Sequence, residues 1–134
     1  MVFLIDTSAI WELLRTPAAR EAWEQEIASK TVGLCDATRA EFLYSARSPR
    51  ERDELADDLD LSFGHIPVPK RVWAWIETAQ YKLTQTGQHR SADVVDLIVC
   101  ATAVHHDLTV LHVDNDYRAV ASVLPEVRQR DVRR

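Results

Sequence analysis

Two patterns of hydrophobic and polar positions alternate along the chain: short, nearly continuous apolar runs, and longer stretches in which apolar residues recur every three or four positions. Val2-Phe3-Leu4-Ile5 is the first run; it ends at Asp6-Thr7-Ser8 and reads as a strand leading into apolar Trp11, Leu13 and Leu14. Pro17 suits the first turn of a helix from about Ala18 to Ser29. Thr31 to Cys35 predicts a second strand, followed by a helix from Ala37 to Ala46. Ser48-Pro49 is a cap followed by a first-turn proline, opening a charged helix to Asp60, and Ser62 to Ile66 predicts a short third strand. From Pro69 to Gly87, Val72, Trp73, Ile76, Ala79, Tyr81 and Leu83 follow a helical period. Ser91 is read as the cap of the next helix, whose Leu97 to Val104 segment is apolar almost all round and therefore buried. Thr109 to Val113 predicts a fourth strand and Arg118 to Leu124 a last helix, with Val127 to Val132 an edge strand or a tail.

Strands alternating with helices imply a parallel sheet covered on both faces, and such sheets place ligands beyond the carboxyl ends of their strands. Asp6 and Asp114 fall there. At 134 residues, 46% hydrophobic and 28% charged, residues 1–134 are expected to form one globular domain. The opening apolar run lacks a basic leader and is too short for a signal peptide or a spanning helix, which predicts a cytoplasmic protein without membrane attachment. Cys35 and Cys100 lack metal-ligand spacing and read as buried free thiols. A net charge of −5 argues against a broad nucleic-acid-binding surface. Basic residues nonetheless gather at Arg47 to Arg52, Lys70-Arg71 and Arg128 to Arg134, and a cation held by acids would cancel part of the negative charge.

The chemistry lies in acids set within or beside apolar sequence: Asp6, Glu41, Asp96 and the Asp114/Asp116 pair. Most have a local alternative. Asp6 and Asp114 can cap helices, Asp116 suits a first turn, and Thr38-x-x-Glu41 matches a capping box. If Ser91 is the cap, Asp96 lies past the first turn, where a carboxylate needs a cation or several donors. Hard oxygen ligands of this kind suit Mg2+ or Mn2+ rather than zinc, and the five histidines show no zinc pattern.

Taken in order, the Asp6-Thr7-Ser8-Ala9 opening, the Arg39-Ala40-Glu41-Phe42 element, the Asp96 to Ala103 helix and the Asp114-Asn115-Asp116-Tyr117 turn resemble the PIN-domain nucleases. Within that family the chain is similar in size and layout to the VapC toxins of type II toxin–antitoxin pairs. The resemblance implies a three-layer α/β/α sandwich with a central, mostly parallel sheet, a homodimer, and a Mg2+- or Mn2+-dependent endoribonuclease held inactive by a cognate VapB-type antitoxin in a higher assembly. It implies cleavage of RNA to inhibit translation and growth, and single-stranded loops of folded RNAs such as tRNA or rRNA are the expected targets because a cut in one strand needs an accessible backbone. Asp6, Glu41 and Asp96 match the family's metal-site acids, Ser8 a nearby hydroxyl, and Arg90 a basic position ahead of the Asp96 helix. The fourth acid is Asp114 or Asp116. The chemistry implied is metal-assisted hydrolysis of a phosphodiester, with no histidine required as general base.

A response-regulator receiver would need a lysine after a late strand, and Lys30, Lys70 and Lys82 are all misplaced for that role. A haloacid-dehalogenase-type phosphatase would need an acid where Ser8 stands. The remaining alternative is a catalytically silent PIN-like module that binds a partner protein. Trp73 and Trp75, two apart on one helix, cannot both face the same core stripe, so one of them is expected to be covered by another chain.

Overall fold

Strand β1 (Phe3–Ile5) lies at the centre of the sheet and decides where the helices go. Successive side chains of a strand point to opposite faces, and here Leu4 enters one apolar core while Ile5 enters another. The same split recurs in β4 (Thr109–His112), where Val110 and Leu111 belong to opposite cores. The structure is a computed structural model that describes residues 1–134. Around β1 and β4 the chain adds β2 (Val32–Leu34), β3 (Gly64–His65) and β5 (Arg128–Asp131). All pairings are parallel, and the strand order is β3-β2-β1-β4-β5. The segment read as an edge strand or a tail is thus the edge strand β5.

One face is covered by α1 (Thr7–Arg15), α2 (Pro17–Ala28), α3 (Asp36–Leu43) and α4 (Pro49–Ser62), which bring Ile10, Leu13, Trp23, Phe42 and Leu59 against Ile5, Val32, Leu34 and Leu111. The other is covered by α5 (Val72–Gln85), α6 (Val94–His106) and α7 (Asn115–Val123), whose Ile76, Leu83, Leu97, Tyr117 and Val120 pack with Leu4 and Val110. This is the expected three-layer α/β/α sandwich. Gly33 is required by close approach, since a Cβ there would stand 2.4 Å from Ile66 Cγ1. No helix is long and apolar enough to cross a membrane.

The chain leaves β1 toward β2 on one side and reaches β4 on the other, so the strand order reverses between β1 and β4. Connections diverge at such a point and leave a crevice beyond the strand ends. Asp6 follows β1 there, and Asp114 comes two residues after the end of β4.

Four helix starts differ from the sequence reading. Asp93, not Ser91, caps α6: its side chain accepts from Asp96 N, while Asp96 reaches back to Asp93 N, a reciprocal box that satisfies two amide donors. Asp96 is therefore in the first turn, not beyond it. Helix α3 is capped by Cys35, and Thr38 is fully buried near Cys35 Sγ, so the Thr38–Glu41 box does not form. Helix α7 begins at Asn115, three residues before the expected start, with Asp114 as its cap. Pro69 lies in the turn ahead of α5, where its carbonyl accepts from Val72 N. Along α5, Trp73 is exposed and Trp75 half-buried, as the two-residue spacing requires.

Candidate metal centre

Three helix N-termini, those of α1, α6 and α7, each carry acids of the candidate set. Unpaired amides and the helix dipole make such ends favourable places for negative charge. Asp6 caps α1: its Oδ2 accepts from Ser8 N at 3.1 Å and from Ser8 Oγ at 2.7 Å. Asp96 Oδ2 accepts from Asp93 N at 3.2 Å, and Asp114 Oδ1 accepts from Asp116 N at 2.9 Å. In each case capping engages only one carboxylate oxygen. Capping and cation binding are compatible uses of the same side chain, because an ionised carboxylate has about four lone-pair sites and a cap occupies only one or two of them.

The structure brings Asp96, Asp114 and Asp116 together, with one carboxylate oxygen from each lying within 4.8 Å of the others. Asp6 joins them from below through a phenol. Tyr117 Oη lies 2.8 Å from Asp6 Oδ1 and 3.2 Å from Asp96 Oδ1, and both Asp6 and Tyr117 are buried. Glu41 is held at one remove, its Oε1 accepting from Thr7 Oγ1 at 2.5 Å. Thr7 is the first residue of α1 and follows Asp6 directly. Ser8 also accepts from Val113 N at 3.0 Å, which ties the start of α1 to the loop after β4. Arg90 is exposed in the turn before α6 and makes no hydrogen bond or ion pair with the acids.

None of the ion pairs in the protein involves Asp6, Glu41, Asp93, Asp96, Asp114 or Asp116. The electrostatics follow from that. Burial, then the charges of Asp93 and Asp6, push the Asp96 carboxyl up to about 7, against partial relief from its hydrogen bonds to Asp93 N and Tyr117. Desolvation and the neighbouring Asp114 also raise Asp116. Burial, with Asp6 and Asp96 beside it, holds the Tyr117 phenol well above its ordinary range, and Cys100 is likewise kept a thiol. A concentration of carboxylates without a cationic side chain, made only of oxygen donors, fits a hard divalent ion.

Sequence reasoning overlooked three members of this arrangement. Asp93 is one, displaced by the choice of Ser91 as cap. Tyr117 is another, read in the sequence as the end of the Asp114-Asn115-Asp116-Tyr117 turn and given no role of its own. The third is His112, fully buried, with Nδ1 accepting from Asp114 N at 3.0 Å and Nε2 lying 2.6 Å from Gln129 Oε1. An accepting Nδ1 carries no proton, so the ring is neutral and its Nε2–H points at Gln129. The ring also packs against Tyr117, with centroids 5.1 Å apart.

Comparison with known proteins identifies the family. The PIN domain family matches residues 3–123. This chain belongs to the PIN-domain family. Among curated relatives it is similar to ribonuclease VapC6 of Mycobacterium tuberculosis, 39% identical over 117 residues, covering 87% of this chain and 92% of the relative. It is also similar to ribonuclease VapC18 of the same species, 35% identical over 125 residues, covering 92% and 90%. Its PIN fold is shared with VapBC2 from Rickettsia felis, solved bound to a DNA fragment from its promoter, with a TM-score of 0.79 at 13% identity and 98% coverage of both chains. Both of these curated relatives are named as VapC ribonucleases.

Proposed function

We propose that this PIN-domain protein is a Mg2+- or Mn2+-dependent endoribonuclease, the toxin of a VapBC-type pair, which cleaves RNA such as tRNA or rRNA to inhibit translation and growth. The observation that carries this reading is the meeting of Asp96, Asp114 and Asp116 beside buried Asp6, at the point where the sheet diverges and with no cationic side chain among them. Asp6, Asp96, Asp114 and Asp116 would hold the ion, with Glu41 set at the rim by Thr7. When bound, a divalent cation supplies Lewis acidity toward a phosphodiester and offsets charge on the leaving oxygen.

The chain's own residues do the rest. Helix caps fix the directions of the Asp6, Asp96 and Asp114 carboxylates before substrate arrives, which lowers the reorganisation needed during reaction. His112 is buried with both nitrogens engaged, so it orients the Asp114 backbone and does not serve as a general base. Asp116, exposed at the mouth and raised by desolvation and then by Asp114, can accept a proton at its carboxylate. Arg90, exposed in the turn leading into α6, offers a contact to a substrate phosphate.

A VapB-type antitoxin is the proposed inhibitor. An apolar groove lined by Leu13, Leu14, Ile27, Leu55 and Phe63, between α1, α2 and α4, offers such a partner a surface. Exposed Trp73 and Tyr81 on α5 support a homodimer. Incubating the purified protein with total RNA tests the enzyme reading. Cleavage in Mn2+ that stops on adding EDTA is the expected result; intact RNA in both would leave the silent interaction module as the better account.

A further inference from the structure

Asp6 and Asp96 come from helices on opposite faces of the sheet, and the hydroxyl of Tyr117 touches both carboxylates. We infer that Tyr117 is a positioning residue for the metal centre, a neutral spacer that fixes the separation of Asp6 Oδ1 and Asp96 Oδ1. This inference rests on the metal-site reading above.

Its argument begins with repulsion. Two carboxylates facing each other in a buried place push apart unless a proton, a cation or a donor stands between them. Tyr117 Oη stands there, at 2.8 Å from one and 3.2 Å from the other, so the separation of the two oxygens is bounded by those two contacts. A phenol has one proton and can donate it to one carboxylate at a time. The shorter contact gives it to Asp6. Asp6 then has donors on both oxygens, Ser8 on Oδ2 and Tyr117 on Oδ1, and is fixed in direction.

The spacer itself cannot drift. Tyr117 is 1% exposed, its ring packs against His112 at a tilt of 32°, and His112 is bonded to Gln129 on β5 and to the Asp114 backbone. One buried assembly therefore links the positions of Asp6, Asp96 and Asp114. Phenylalanine at 117 would keep the apolar ring in the core while removing the atom that touches both acids. Partners of metal ligands commonly change metal affinity when removed even though they never touch the ion, because the ligands lose their fixed geometry.

The experiment is a Mn2+ titration of wild type and Tyr117→Phe with two readouts, the metal-induced rise in melting temperature and the rate of RNA cleavage. The expected result is an increase of about tenfold in the Mn2+ concentration giving half of each effect, with cleavage recovering at saturating Mn2+. A purely structural role would lower the melting temperature without moving either half-effect concentration, and that outcome overturns the inference. Should Tyr117→Phe melt too low for a thermal readout, calorimetric titration well below its melting point measures the same affinity, and an unchanged value again overturns the inference. If wild type gains thermal stability from Mn2+ but cleaves no RNA, the nuclease reading fails while the comparison of affinities still decides the role of Tyr117. A wild type indifferent to Mn2+ overturns both.

Discussion

Asp96 and Asp131 are both largely shielded carboxylates near the carboxyl edge of the sheet, yet they are pushed in opposite directions. Asp131 ends β5 and accepts from Arg133 at its backbone N, Nε and Nη2, at 2.9, 3.0 and 2.7 Å, which holds it down at about 2. Asp96 has one backbone donor, shares one phenol, faces Asp93 and Asp6, and is raised to about 7. Both accept hydrogen bonds, but only Asp131 receives a positive charge. On the β2–β3 side, Asp36 beyond β2 meets His65, and Asp60 in α4 meets Arg39, again in pairs. Acids at strand ends are therefore common in this protein. The candidate centre is distinguished by the absence of a cationic side chain around its acids.

The largest effect should come from neutralising the unpaired group. Asn replaces Asp as a helix cap with little loss, so Asp6→Asn and Asp96→Asn should fold. Both should lower Mn2+-dependent RNA cleavage by about a hundredfold or more, since several kcal/mol of charge stabilisation is removed. Asp131→Asn should lower the melting temperature by a few degrees and leave cleavage close to wild type. Equal cleavage in Asp96→Asn and Asp131→Asn, measured on one RNA, would erase the distinction between the two acids.

A smaller effect separates them by pH in metal-free protein. Asp96 rises from an ordinary 3.8 to about 7, so the folded state holds a proton that the unfolded chain has released. Stability should therefore fall as pH climbs from about 4 toward 7, and Asp96→Asn should flatten that slope. Asp131 runs the other way. Its contribution is present above about 4 and is lost as pH drops toward about 2. Melting temperatures across pH for wild type and both variants would show the two signs, and an Asp96→Asn variant with the wild-type slope would contradict the assignment.

The smallest effect concerns the paired acids on the β2–β3 side. Asp36 and Asp60 are exposed and screened, and exposed pairs contribute about 0–1 kcal/mol. Asp36→Asn and Asp60→Asn should leave cleavage within about twofold of wild type. A loss comparable to that of Asp96→Asn, in the same assay, would move the centre across the sheet.

How far the sequence reached depends on whether the deciding contact is local. Val2 to Ile5 and Thr109 to Val113 are apolar runs bounded by acids, so β1, β4 and the acids after them were legible from pattern alone. The capping of α1 by Asp6 and of α7 by Asp114 was legible for the same reason. Choosing between Ser91 and Asp93 as the cap of α6 was not, because both precede the same apolar segment and a shift of two residues moves Asp96 out of the first turn. Glu41 shows the limit from the other side: its local partner Thr38 is buried elsewhere, and its actual partner, Thr7, lies 34 residues away. Tyr117 and Asp6 are 111 residues apart, a pairing set by tertiary packing alone.

Paramagnetic broadening by Mn2+ tests the central claim most directly, because it reports where the ion sits without reference to activity. In a titration followed by amide NMR, the amides of Ser8, Asp96, Asp114, Asp116 and Tyr117 should broaden first, at Mn2+ levels that leave Asp36, Asp60, His65 and Asp131 sharp. Broadening centred on Asp36 and His65, or spread evenly over the acidic surface, would contradict the account.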